Sequence, residues 1–247
     1  AVENPRDVYA YQWRAPNGNP INTTSVDHID ITVPGKYTVT ATTTNGTLCE
    51  RTETIEIKES NIATLAQSFI TIIDESNNIG SQDLISIAID TINNDLGPGD
   101  YQFAVFNQDD NERIPMIGFQ DEPLFENLTG GIYTIIVSDK NGCAPDTTLE
   151  VSVIQFPKFF TPNGDGNNDT WIVKGVNKTF YPNSSINIFN RYGKLVAQVP
   201  IDSQGWNGIY QGNLLPSDDY WFNITLIPPE NSDKPIINKK GNFSLLR

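Results

Sequence analysis

Apolar positions along the chain alternate with polar ones or gather in short runs, and the period is two far more often than three or four. In "KYTVTATTT" (residues 36–44) β-branched and aromatic residues alternate along the segment, while "IYTIIVSD" (132–139) is a nearly continuous apolar run rich in the same types. Both patterns predict β-strands. Asn-Gly pairs at Asn45 and Asn141 end these runs and predict turns. "SFITIIDE" (68–75) and "DLISIAIDTI" (83–92) read as two further strands. The best helical candidate, "NIATLAQSF" (61–69), is short and contains Thr. The chain is therefore expected to be all-β.

The strand pattern repeats. "YQW" at 11–13 matches "YQF" at 101–103, and "PGKYTVTATTTNGTLC" from Pro34 matches "GGIYTIIVSDKNGC" from Gly130. A Thr-rich alternating segment follows each, "ERTETIEIKE" and "APDTTLEVSVI". The order is aromatic strand, Gly-x-Tyr-Thr strand, turn with Cys, final strand, which is the back half of an immunoglobulin-like sandwich. Tyr37 and Tyr133 then occupy the place of the tyrosine that hydrogen-bonds back across a corner of such domains. The predicted architecture is a tandem of immunoglobulin-like β-sandwiches ending in a small C-terminal β-sandwich. Its parts are a partial repeat over 1–58, a second repeat over 59–155 and a distinct domain over 156–247. The first repeat lacks the front strands of the second, so a fragment of a longer array is expected.

Charge supports a boundary near Phe156. Net charge is −14 overall, with 7 Lys and Arg against 23 Asp and Glu over residues 1–155, and 9 against 7 over 156–247. An acidic body repels phosphates, so nucleic acid is not an expected partner. No run approaches the length of a transmembrane segment. The two cysteines, Cys49 and Cys143, fall at matching places of the repeats. Each reads as a small buried residue near a turn or as half of a disulfide whose partner is absent or lies upstream. A catalytic thiol is not expected, because His28 is the only histidine. Paired carboxylates such as Asp109–Asp110 and Asp218–Asp219 lie in loop-like sequence and read as solvated turns.

The last part carries four separate elements: "FTPNGDGNNDTW", "INIFNRYGKLV", "GWNGIYQGNLLPSDDYWF" and the terminal "KKGNFSLLR". In order and spacing they resemble the gliding-motility-associated C-terminal domain, the type B sorting domain of the type IX secretion system of Bacteroidota. The upstream repeats resemble the immunoglobulin-like or PKD-like modules that accompany such domains. The resemblance implies a folded address read by the outer-membrane translocon and its shuttle β-barrel protein. It implies a passenger exported across the outer membrane to the cell surface or released, often a large adhesin. The terminal strand reads either as an edge strand with Lys239 and Lys240 as basic gatekeepers against aggregation or, on this resemblance, as the part first gripped by the export machinery, which singles out Lys239, Lys240, Gly241, Phe243, Leu245 and Arg247.

Two other features carry candidate chemistry. Asn163, Asp165, Asn167 and Asp169 offer oxygen ligands at alternating spacing with Gly164 and Gly166 between them. A Ca²⁺ site favours such oxygens, while an Asx turn uses the same residues to bond the backbone. The aromatics Trp171, Trp206, Tyr220, Trp221 and Phe222 read as core more than as a sugar platform. On one strand Tyr220 and Phe222 share a face and Trp221 takes the other, so Trp221 is expected to be less buried. The leading functional expectation is the C-terminal part of a secreted, adhesin-like surface protein that binds a surface glycan or another adhesion ligand, and it is not an enzyme. The alternative is the accessory sugar-binding or spacer region of a secreted carbohydrate-active enzyme.

Overall fold

The computed structural model describes residues 9–21, 26–44, 49–74, 84–232 and 234–247. The turn predicted at Asn45, the end of the strand predicted over 68–75 and the first residue of that over 83–92 lie outside these. Among the described residues there is no α-helix. The helical candidate at 61–69 contributes only a single 3₁₀ turn, Gln67–Phe69. Contacts divide the chain into two compact units, one holding Ala1–Ala63, Leu96–Tyr101 and Asp139–Pro145, the other holding the remainder.

The first unit is built on an antiparallel sheet of β1 (Tyr9–Arg14), β2 (Gly35–Thr43) and β3 (Glu50–Ile57), in that order. Tyr11, Trp13 and Val39 form its buried cluster, with Ile21 and Ile29 from the β1–β2 connection packed on them. The Trp13 indole donates to the Val26 carbonyl at 2.9 Å, which satisfies the one polar atom of an otherwise buried side chain. β3 alternates Thr and Glu and stays exposed over nearly its whole length. Asn61 closes the unit, donating its N–H to the Pro98 carbonyl and accepting from the Tyr101 hydroxyl, both at 3.0 Å.

The second unit begins with a seven-stranded sandwich. One sheet has the order β4-β5-β8, from β4 (Ile70–Asp74), β5 (Ile85–Ile89) and β8 (Leu124–Leu128). The other has the order β10-β9-β6-β7, from β6 (Tyr101–Asn107), β7 (Glu112–Ile114), β9 (Gly131–Asp139) and β10 (Thr147–Val153). β6-β9-β10 matches β1-β2-β3 in order and direction, so the repeat seen in the sequence is a repeat of one sheet. Ile87, Phe125, Val105 and Ile135 are fully buried between the layers.

The C-terminal domain follows in the same unit. Its main sheet has the order β11-β17-β16-β12-β13, from β11 (Phe159–Phe160), β12 (Ser185–Phe189), β13 (Leu195–Val199), β16 (Asp218–Leu226) and β17 (Ile237–Leu245). Its second layer is mostly irregular: the short hairpin of β14 (Ile209–Tyr210) with β15 (Asn213–Leu214), and a bridge in which Trp171 and Trp206 exchange backbone hydrogen bonds of 2.8 and 2.9 Å. Segments rich in Asn, Gly and Pro favour turns over long ladders, so the layer is held by aromatic packing.

The corner tyrosines are where the sequence places them. Tyr37 donates to the Val33 carbonyl at 2.8 Å and Tyr133 to Thr129 at 2.9 Å. A third corner joins them: Tyr220 donates to the Pro216 carbonyl at 3.0 Å, again four residues back. Replacing Tyr37 or Tyr220 by Phe is expected to cost about 0.5–1.5 kcal/mol, the net worth of one hydrogen bond. Tyr133→Phe should cost more, because the buried Asn107 amide also donates to that hydroxyl, at 3.1 Å. Urea melts of the three variants check this order.

The sandwich and the C-terminal domain meet through backbone. Gln155 and Lys174 form a bridge of 3.0 and 3.2 Å, and the Ser152 hydroxyl donates to the Gly175 carbonyl at 2.7 Å. Gly175 has φ +72°, and a Cβ there would lie 2.1 Å from the Val153 carbonyl oxygen. Only glycine allows this approach.

Candidate functional site

The loop 159–171 leaves β11 and returns to the Trp171–Trp206 bridge. Its polar side chains turn onto its own backbone. Both Asp169 oxygens accept N–H groups, from Gly164 at 2.6 Å and Gly166 at 2.8 Å. Asp165 accepts from the Asn167 N–H at 2.7 Å and from the Asn163 amide at 2.8 Å, and Asn163 accepts from the Asp165 N–H at 3.0 Å. Gly164 and Gly166 take φ of +80° and +87°, and Asn168 follows at +52°, a conformation Asn tolerates. The Asn167 N–H and then the Asn163 amide hold the Asp165 carboxyl below its ordinary value. Asn167 contributes its N–H to the loop. Among the described residues no three His, Cys, Asp or Glu side chains converge as a metal cage.

The aromatic set forms the core of the domain. Trp171 is fully buried, Trp206, Tyr220 and Phe222 nearly so, and Trp221 is 42% exposed on the other face, as the strand alternation requires. Trp171 stacks on Phe243 with ring centroids 4.1 Å apart and tilts against Phe222 at 5.2 Å.

The six terminal residues singled out by the sequence divide by environment. Phe243 and Leu245 belong to the core. Gly241 leaves room for the Phe222 ring, since a Cβ there would lie 2.6 Å from it. Lys239 and Lys240 are exposed, Lys239 reaching over the Phe156 ring at 6.0 Å. Arg247 is exposed yet fastened: its guanidinium donates to the carbonyls of Leu215 at 3.0 Å and Gly208 at 3.2 Å, and its N–H to the Ser217 hydroxyl at 2.9 Å. Nothing in the spacing of the sequence signalled this latch onto the "WNG" turn. The third corner, by contrast, could have been found, since Pro216 precedes Tyr220 at the same spacing as the corner pairs of the repeats.

The cysteines differ from the expectation of burial: Cys49 and Cys143 are both free and exposed. Cys143 follows a polar turn and Cys49 leads into the polar, exposed β3, so no apolar layer covers either. The Cys143 N–H donates to Asp139 at 2.9 Å. The Asp139 carboxyl is held at about 2 by the nearby Ser60 hydroxyl, which lies too poorly aligned to form a hydrogen bond of ordinary geometry, and by the N–H groups of Cys143 and Asn141, which do donate to it. A depressed carboxyl stabilises the fold fully above its ordinary pKa, and that stabilisation is lost as pH falls through the folded value. Melting temperature should therefore drop between pH 3.8 and about 2. Asp139→Asn should flatten that slope in thermal melts across this range.

Residues 154–243 match the family model described as CHU_C type IX secretion signal domain. This stretch is a type IX secretion signal domain. The match begins at the Gln155–Lys174 bridge and ends within β17, so the signal domain coincides with the C-terminal sheet, its second layer and the junction. A domain of this kind marks its chain for export across the outer membrane, to the cell surface or into the medium, and for interaction with the secretion machinery. The chain is thus a type IX-sorted cell-surface or secreted protein. No helix among the described residues is long and apolar enough to cross a membrane.

The match covers less than half of the chain. No curated protein matches it. Similar solved structures include the Sidekick-1 immunoglobulin domains 1–5, at 12% identity over 98% of this chain and 53% of that one, with a TM-score of 0.24. Others are the FN1–FN3 domains of chicken CNTN1 (12% identity, 97% and 88% coverage, TM-score 0.26) and a tetra-tandem repeat from the extending region of a large adhesion protein (13%, 96% and 66%, 0.23). The chain spans about half the length of the Sidekick-1 structure. At such scores the likeness carries no argument about function.

Proposed function

We propose that this chain is the C-terminal region of an adhesin-like protein that leaves the cell through the type IX translocon. In this reading residues 156–247 are presented folded to the translocon and its shuttle β-barrel protein, and the upstream sandwiches act as spacer or adhesion modules. The observation that carries it is the coincidence of the family match with a fully built domain. Lys239 and Lys240 offer the exposed part of the terminal strand, whereas Gly241, Phe243, Leu245 and Arg247 act through the fold they hold. A fluorescent reporter fused ahead of the full chain tests it, in a bacterium with an intact type IX system and in its translocon-null twin. Export in the first alone is expected, and Lys239→Glu with Lys240→Glu should reduce it without changing the melting temperature. Retention in both strains would overturn the reading.

The same reading makes the loop 163–169 a place where Ca²⁺ would add to a fold already made. Asn163, Asp165 and Asp169 would offer an ion the lone pairs their N–H donors leave free. EGTA is then expected to lower the melting temperature only slightly, and Asp165→Ala should lose that response. No response at all would leave the loop a hydrogen-bonded turn.

A further inference from the structure

The outer face of the C-terminal sheet carries a pattern that export does not explain. Strand register sets two parallel rows of side chains across four strands. One row is Gln198, Asn187, Asn223 and Lys240, on β13, β12, β16 and β17 in turn. The next is Leu195, Phe189, Trp221 and Asn242, in the same strand order. Trp221 is 42% exposed at the centre of its row, while the other three tryptophans are buried. A groove of about 430 Å³ runs between the rows, bounded by Phe189, Arg191, Trp221, Asn223 and Lys240, and no carboxylate lines it.

We propose that this face binds an extended polysaccharide bearing carboxylates, of the uronic acid class. An exposed indole on the outer face of a sheet can stack on the C–H side of a pyranose ring. Amides are the side chains that donate and accept at once, as vicinal hydroxyls demand. Asn223 and Asn242 flank the indole on neighbouring positions, and Asn187 is held by a 3.1 Å bond from Gln198. Neighbouring strands lie about 4.8 Å apart, close to the repeat of an extended pyranose chain, so successive strands address successive sugars. Charge selects the acidic class. Lys240 is exposed beside Asn223, and Arg191 stands at the other end of the groove, its charge partly met by Asp218 at 3.4 Å. Asp219, one cross-strand row beyond Trp221, is engaged by the Ser244 hydroxyl at 2.6 Å.

The test is titration of the purified full chain with an oligogalacturonate, using a cello-oligosaccharide of equal length as the neutral probe. Binding of the acidic probe alone is expected. Trp221→Ala should weaken it by about tenfold or more, the effect of losing roughly 1.4 kcal/mol. Lys240→Gln should weaken it several-fold and reduce its dependence on salt. Both positions are exposed, so the variants should keep the wild-type melting temperature. Equal binding of the neutral probe, no binding of either, or binding indifferent to Trp221→Ala would each overturn the proposal. So would self-association of the free chain abolished by Trp221→Ala, which would assign the face to a second copy. The assay contains no secretion machinery, so it stands or falls apart from the export experiment.

Discussion

Deleting residues 243–247 is expected to unfold the signal domain, which sets a trap for any export assay built on that deletion. Phe243 and Leu245 are 1% and 0% exposed. The Phe243 ring is stacked on Trp171 and lies within about 6 Å of Phe160, Trp206 and Tyr220. Truncating a buried Phe costs about 3–5 kcal/mol and a buried Leu about 2–5. Together they rival the roughly 5–15 kcal/mol that holds a whole domain folded. The deletion also removes the N–H groups of Ser244 and Leu246 that bond Lys158 and Phe160, and with them the pairing of β11. The Arg247 latch on the "WNG" turn goes too. Near-ultraviolet circular dichroism should lose the signal of the packed tryptophans, and limited proteolysis should open the chain after the second sandwich. A truncated chain that keeps both its spectrum and its protease resistance would refute this. A grip of the machinery on this strand is therefore better tested at its exposed lysines than by deletion. Their charge reversal should cost little stability, typically within about 0.5 kcal/mol at exposed sites, so it can probe recognition without unfolding the domain.

The parts legible in the sequence were those governed by local rules. Alternation placed β2, a continuous apolar run placed β9, and alternation told Trp221 from Tyr220 and Phe222, because successive side chains on a strand take opposite faces. The Gly-x-Tyr pattern placed two corner tyrosines, because a turn four residues upstream sets the carbonyl each one meets. The family elements marked the signal domain by their order. What stayed hidden depends on chain segments distant in sequence. The Trp171–Trp206 bridge joins two irregular stretches with no strand signal of their own. Gly175 looks like any turn glycine until the Val153 carbonyl is set against it. The amide rows beside Trp221 arise from the register of four strands, and no spacing within one strand reveals them. The cysteines are exposed although a small residue near a turn suggests burial, because the segment that follows each is polar.

Gly175→Ala should break the junction between the second sandwich and the signal domain. An alanine at φ +72° takes a left-handed conformation that costs about 1–2 kcal/mol. Its methyl group would also lie 2.1 Å from the Val153 oxygen, 2.6 Å from the Val153 carbonyl carbon and 3.0 Å from the Gly131 oxygen. All three are backbone atoms, so no side chain can swing aside, and the main chain must move. Overpacking of this kind adds about 1–3 kcal/mol. The expected loss is roughly 2–5 kcal/mol. Gly164→Ala supplies the control: φ is +80°, but nothing lies within 4 Å of the new methyl. It should show the conformational cost alone, about 1–2 kcal/mol. The difference between the two variants in chemical denaturation therefore isolates the close approach. Movement at Gly175 also pulls its carbonyl from the Ser152 hydroxyl and strains the adjoining Gln155–Lys174 bridge. Faster proteolysis between residues 153 and 158 in Gly175→Ala, with the melting of the first unit unchanged, is the expected signature. Equal losses in the two variants would mean that the junction yields without cost. A signal domain built this way is held by the sandwich before it, so a cut at residue 156 severs part of its own support.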